Sequence, residues 1–325
     1  MSNFQDLPDE LILKVLSYSE IKALITCGQA SKRIRKVSHD NSLWMTVALE
    51  KKIVKTELLE FILGKGCTIL KISNSTILGN LSSNIKSQLR VLNLSQPVAW
   101  NCIHGPLNID LSEKLLFSSC SIQHLAMKGV RLTPNMAQSI CRNNKTLQTL
   151  NLNHSSLTEL SNPFEGEISY LEEILKCCQE LKEVNFNEVR GLCHSDHEDL
   201  VNNIPPNIEK LILSGLNLTH YHVQILLSRC NKIKALSLPG MWHPNVALQT
   251  IRHYLNHTLE ELNLTANKNI SGTGILELKS MPRLKCLNLL FKGDFKEAPQ
   301  MQGLGMACQN LIQHLPQLKI TTSFH

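Results

Sequence analysis

The stretch Gly215-Leu-Asn-Leu-Thr-His-Tyr-His-Val-Gln-Ile-Leu-Leu-Ser-Arg-Cys-Asn-Lys-Ile-Lys-Ala-Leu-Ser-Leu238 changes its hydrophobic period part-way along. Val223, Leu226, Leu227 and Cys230 fall at i, i+3, i+4 and i+7, which is one face of a helix. Ile233, Leu236 and Leu238 then read apolar-x-x-apolar-x-apolar, and the last two, spaced by two, point to the same side of a short strand. Helix and strand each present one apolar face, and neither can bury it alone.

The strand pattern recurs. From residue 67 onward it is found ten times, starting at Cys67, Leu89, Ile122, Leu147, Leu181, Ile208, Ile233, Leu259, Leu284 and Leu315, and five of the nine intervals lie between 25 and 27 residues. Leu171, Ile174, Leu175 and Cys178 repeat the helical face between two of these copies. Thr133-Pro134 supplies a capping hydroxyl and a proline in the first helical turn. Units of strand then helix, stacked so that each covers its neighbour, predict an α/β fold: a curved solenoid with parallel strands inside and helices outside. A doubly wound α/β sheet is the competing reading; it has no fixed period and its strands are continuous apolar runs.

Composition agrees with a globular chain. The 325 residues are 42% hydrophobic and 18% charged with a net charge of +6, and leucine is the commonest residue. Apolar runs are short and the N-terminus is polar, so neither a membrane helix nor a signal peptide is expected and the localisation read is cytoplasm and/or nucleus. The eleven cysteines are scattered and read as reduced, mostly buried thiols.

Residues 215–238 resemble the cysteine-containing class of leucine-rich repeat, in which a cysteine closes the helix shortly before the next strand, as Cys120, Cys178 and Cys230 do. The first 60 residues carry no repeat. Leu7-Pro8-Asp9-Glu10 opens a helix, with proline in its first turn and acids at the positive end of its dipole. Leu11, Ile12, Val15 and Leu16 line one face of it; Ile21, Leu24 and Ile25 mark a second helix, and Ile34 and Val37 a third, before Leu43-Trp44.

Residues 4–48 resemble an F-box in the order and spacing of Leu7-Pro8, Glu10, Ile12, Val15-Leu16-Ser17-Tyr18, Leu24, Cys27, Ser31-Lys32-Arg33 and Leu43-Trp44. Two positions depart from the family pattern: Ser19 stands where a leucine usually follows, and Ile34 replaces the usual aromatic after the basic pair. The resemblance implies a substrate-recognition subunit of an SCF-type ubiquitin ligase, with residues 1–50 binding a Skp-type adaptor and, through it, a cullin-RING ligase. Leu7, Pro8, Glu10, Leu11, Ile12, Val15, Leu16, Ser17, Tyr18, Leu24, Leu43 and Trp44 would carry that contact. Residues 51–66 read as a helical linker or cap, and 67–325 as about ten repeats. The alternative is a repeat protein that binds or inhibits by occupancy, its N-terminal helices serving only as a cap.

In each repeat the residue between the two inner apolar positions points onto the concave face. In order these are Lys71, Asn93, Ala126, Asn151, Asn185, Ile212, Ser237, Asn263, Asn288 and Lys319. The asparagines suggest an amide ladder between strands, a target-binding row, or both, since the two roles can coexist; Glu183, Lys210 and Glu261 flank them. Asn151, Glu183, Asn185, Lys210, Glu261, Asn263 and Asn288 are therefore the candidate substrate-binding residues, for an unknown protein target.

No catalytic or cofactor constellation stands out. The thirteen histidines are scattered, and Cys177-Cys178 with Cys193-His194 and His197 fits no common zinc spacing. Lys32-Arg-Ile-Arg-Lys36 reads as a solvated helix face rather than a nucleic-acid patch. Gly64-Lys-Gly66 and Gly272-Thr-Gly274 read as turns. A non-enzymatic protein, without metal and off the membrane, is expected.

Overall fold

Strands of three or four residues alternate with helices along most of the chain, as the switch from period two to period 3.6 requires. The computed structural model describes residues 7–82, 84–96, 109–157, 169–190, 197–216, 218–241, 243–267, 269–290 and 299–322. It contains two compact units, Met1–Leu125 and Ala126–His325.

The first unit opens with three helices, α1 (Asp9–Leu16), α2 (Ile21–Ala30) and α3 (Lys32–Ser38). Pro8 occupies the N-cap position of α1, where its carbonyl accepts the Leu11 and Ile12 N–H groups, and the Ser31 hydroxyl caps α3 by accepting the Ile34 N–H at 3.1 Å. Ile12, Leu16, Leu24, Ile34 and Val37 form their shared core. Of the basic run, Arg33 pairs with Asp9 at 2.7 Å and donates to the Leu7 carbonyl, while Arg35 donates to the Gly28 carbonyl at 2.8 Å. Two of its four charges therefore fasten α3 to its neighbours.

Strands Thr46–Ala48, Ile69–Lys71 and Val91–Asn93 follow, parallel and in chain order, with Val47 opposite Leu70 and Leu70 opposite Leu92. The sheet therefore contains a strand ahead of the first of the ten read in the sequence. Trp44, Val47 and Leu49 supply the same apolar spacing and are all buried. Ile53–Lys55 pairs in parallel with Thr76–Leu78, and the helix Thr56–Gly64 buries Leu59, Ile62 and Leu63. Residues 51–66, expected as a linker or cap, thus include the helical half of that first unit.

A second unit of the fold spans strands Thr149–Asn151, Glu183–Asn185, Lys210–Ile212, Ala235–Ser237, Glu261–Asn263, Cys286–Leu289 and Lys319–Thr322, again parallel and in chain order. Strict chain order is what stacking repeats produce; a doubly wound sheet reverses direction at a switch point. The inner pairs, such as Val184/Phe186, Leu211/Leu213 and Leu262/Leu264, are at most 2% exposed. Burying each such side chain contributes about 1.5–3 kcal/mol.

A recurrent corner ends eight of the strands. Three residues past it the backbone enters the left-handed region, at Lys51, Asn74, Gly129, His154, Glu188, Gly215, Gly240 and Ala266, with φ between 51° and 83°. Only three of these eight are glycine, so the turn is held by the stacked neighbours rather than by residue type.

Three sequence expectations change. The last strand begins two residues later than the Leu315/Leu318/Ile320 alignment implies: Ile320 lies opposite Leu287, so Thr321, not Lys319, continues the asparagine row. A slip of two leaves every side chain on its face. Gly272-Thr-Gly274 is not a turn but the start of the helix Gly272–Leu276, capped by the Ser271 hydroxyl. A Cβ on Gly272 would lie 2.6 Å from the Gly303 carbonyl oxygen, so glycine permits a close helix approach there. Cys120 is exposed, whereas Cys178 and Cys230 are fully buried.

Candidate functional site

Two surfaces gather the candidate residues, and each is built by ordinary packing. On α1, positions i and i+4 place Leu11 and Val15 together, both 48% exposed, while Ile12 and Leu16 on the adjoining face go into the core. Tyr18, 84% exposed, and Ile25 of α2, 40% exposed, add to the outward apolar set. Pro8, Glu10 and Ser17 are exposed, and Leu7 and Leu43 are half-buried.

Four residues expected at this surface are not on it. Ile12, Leu16, Leu24 and Trp44 are 3% exposed or less, so they shape the module from within. Trp44 is fixed by its indole N–H, which donates to the Ser38 carbonyl at 2.9 Å, and by an edge-on contact with the Phe61 ring at 5.0 Å. Ile25 is the residue that periodicity misplaced, since it was grouped with buried Leu24.

The second surface is the sheet face turned away from the helices in Ala126–His325. Cross-strand register sets Glu183, Lys210, Ala235, Glu261, Cys286 and Lys319 in one row and Asn185, Ile212, Ser237, Asn263, Asn288 and Thr321 in the next. Asn151 starts the second row opposite Asn185. A shallow depression of about 600 Å³ runs over the two rows from Asn185 and Lys210 to Lys319 and Thr321. Glu183, Lys210 and Glu261 are exposed on this face, with the asparagines half-buried beside them.

The asparagines do not form the amide ladder. Each Oδ1 accepts the backbone N–H two residues on: Asn93 from Ser95, Asn151 from Asn153, Asn185 from Asn187, Asn263 from Thr265 and Asn288 from Leu290, at 2.9 to 3.2 Å. These are Asx turns, which lead the chain from the strand into the left-handed corner. A cross-strand amide bond does occur, Asn187 to Asn153 at 3.0 Å, one step further along.

Charges along the strand entrances neutralise one another. Lys234 donates to Glu209 at 2.6 Å and Lys285 to Glu260 at 2.5 Å. The hydrogen bond from each lysine, then its charge, holds the Glu209 and Glu260 carboxyls below the usual range. Buried cysteines behave oppositely. Burial pushes the Cys67 and Cys230 thiols up to about 11 and Cys178 up to about 12. Cys178 and Cys230 donate to the Asn144 and Pro205 carbonyls of the preceding repeat at 3.7 and 3.6 Å.

Among the described residues no group of three or more His, Cys, Asp or Glu side chains could hold a metal ion. Cys193 and His194 lie outside the described residues. No described helix is long and apolar enough to cross a membrane.

Residues 4–50 match the F-box-like family model. Among solved structures, a leucine-rich-repeat protein of Leptospira interrogans is similar, at 14% identity over 85% of this chain and 93% of its own length, with a TM-score of 0.31.

Proposed function

We propose that the chain is the substrate-recognition subunit of an SCF-type ubiquitin ligase, joining a Skp-type adaptor to a protein target. The observation that carries this reading is the outward apolar set Leu11, Val15, Tyr18 and Ile25, on a module whose sequence matches the F-box-like family. A helical cap needs an apolar inner face and a polar outer one. This module has a complete inner core and still exposes four large apolar side chains, which is the composition of an interface centre.

In this reading residues 1–50 are the adaptor module, with Pro8, Glu10 and Ser17 at its polar rim and Leu7 and Leu43 at its margins. The open sheet face holds the target, through Glu183, Lys210 and Glu261 and the free edges of Asn151, Asn185, Asn263 and Asn288. The chain itself makes and breaks no covalent bond. Holding the target beside a ubiquitin-charged enzyme raises its effective concentration there, and that is its contribution to ubiquitination and proteasomal degradation.

Reconstitution tests it. The full chain mixed with purified adaptor and cullin-RING subunits should co-elute with them as one complex on size exclusion. A chain that elutes apart from the adaptor at micromolar concentration overturns the assignment.

A further inference from the structure

The depression on the open sheet face carries charges with a period of their own. The charged side chains that line it are Lys210, Glu261 and Lys319, all exposed. They stand on alternate strands, and the strands between them offer Ala235 and Cys286 in the same register. Across the sheet the row therefore reads plus, small, minus, small, plus. Among the described residues none of these three charges has an ion-pair partner, whereas Lys234 and Lys285 at the strand entrances are each paired with a glutamate. In the neighbouring row the Oδ1 atoms of Asn185, Asn263 and Asn288 are taken up by their Asx turns, so these side chains present amide N–H donors.

Resting on the reading of this face as the target site, we infer that it takes a target segment in the polyproline II conformation, with acid, base and acid at every third residue. Spacing selects that conformation. Strands about 4.8 Å apart put the charges on alternate strands about 9.6 Å apart. A polyproline II chain returns to the same side every three residues, about 9.3 Å. A β-strand does so every two residues, about 6.7 Å, and an α-helix after seven, about 10.5 Å, so neither keeps in step over three charges. Hydrogen bonding selects it as well. Polyproline II carbonyls have no partner within the segment and can accept the asparagine N–H groups, while a helix has already used its own. The two acids lie over Lys210 and Lys319 and the base over Glu261, and the small side chains of Ala235 and Cys286 leave room for the residues between.

Fluorescence polarisation of the full chain with labelled Glu-Pro-Pro-Lys-Pro-Pro-Glu, at low ionic strength, tests it. This peptide should bind roughly tenfold more tightly than its inverse, Lys-Pro-Pro-Glu-Pro-Pro-Lys, as three exposed charge pairs imply. Lys210→Glu with Glu261→Lys and Lys319→Glu should exchange the two preferences, which partial unfolding cannot mimic. Glu-Gly-Gly-Lys-Gly-Gly-Glu, with the same charges on a flexible chain, should bind several-fold more weakly than the proline peptide. Bound proline peptide should also slow alkylation of Cys286 and leave exposed Cys120 unaffected. Equal binding of the peptide and its inverse, no binding at millimolar concentration, equal binding of the glycine peptide, an unchanged preference in the triple variant, or Cys286 alkylated at its unprotected rate would each overturn the inference. Loss of target capture on charge reversal, in a chain that does not discriminate the peptides, would refute this segment and leave the face as the target site.

Discussion

The indole N–H of Trp44 donates to the Ser38 carbonyl at 2.9 Å, and this bond ties the end of α3 to the turn Asn41–Trp44 that leads into the strand Thr46–Ala48. Trp44 is 1% exposed and also meets Phe61 edge-on, so it serves as the last residue of the helical module and the first apolar position of the repeat array.

Trp44→Ala should therefore destabilise both, by about 3–5 kcal/mol, as large-to-small aromatic replacements in cores do. Trp44→Phe keeps much of the ring contact but leaves the Ser38 carbonyl without its donor, at about 1–3 kcal/mol. Urea denaturation followed by circular dichroism measures both. A loss under 1 kcal/mol for Trp44→Ala would mean that module and repeats do not share this residue. Cutting the chain at residue 60 would remove the strand Thr46–Ala48 and bare the edge of Ile69–Lys71, so point variants are the better probes of the module.

The asparagine row separates two accounts by the atom each needs. An Asx turn uses only the side-chain oxygen, whereas a ladder needs the amide N–H as well. Asn263→Ala should cost about 1 kcal/mol, since the Thr265 N–H loses its acceptor, while Asn263→Asp should cost much less at neutral pH. Equal losses for the two variants in thermal melts would restore the ladder.

Legibility in the sequence followed the inner apolar positions. Leu70, Leu92, Leu150, Val184, Leu211, Leu236, Leu262 and Leu287 were recognisable because burial on a two-residue period allows only apolar side chains. The unit at Trp44, Val47 and Leu49 escaped because tryptophan replaces its first leucine and the helical module claims the same residue. The last strand was displaced because Leu315 and Leu318 reproduce the spacing while lying before the strand. Outward positions carry no such constraint. Nothing in the helical period distinguishes exposed Ile25 from buried Leu24, because an interface residue and a core residue are apolar for the same reason, and only the packing of α2 against α3 tells them apart.

Alkaline pH should unfold the chain through its buried thiols. Cys67, Cys230 and Cys308 titrate at about 11 and Cys178 at about 12 in the folded state because burial disfavours the thiolate, against an ordinary value of 9.0. A raised folded pKa means the unfolded chain loses these protons first. Their contribution to stability is therefore complete below pH 9 and declines as pH rises through 11 to 12. Melting temperature should fall over that window, and Cys178→Ala should flatten the fall while lowering stability at neutral pH. A melting temperature unchanged between pH 8 and 11 would contradict it.

Target capture should depend on the open sheet face. Reversing charge at Glu183, Lys210 and Glu261 together should weaken capture of the target while leaving the melting temperature and adaptor binding nearly unchanged, since all three are exposed. Normal capture by this variant, with loss on Gln224→Arg and Lys176→Glu on the helical side, would move the binding site there.

Calorimetric titration of the full chain with purified Skp-type adaptor tests the proposed function most directly. The wild-type chain should bind, and Leu11→Gln with Val15→Gln should raise Kd by roughly 100-fold, as two lost apolar anchors at about 1.5 kcal/mol each imply. Its melting temperature should hold, because neither side chain belongs to the core. Equal affinity of the double variant and the wild type, or no binding by either, would contradict an adaptor-binding role for this surface.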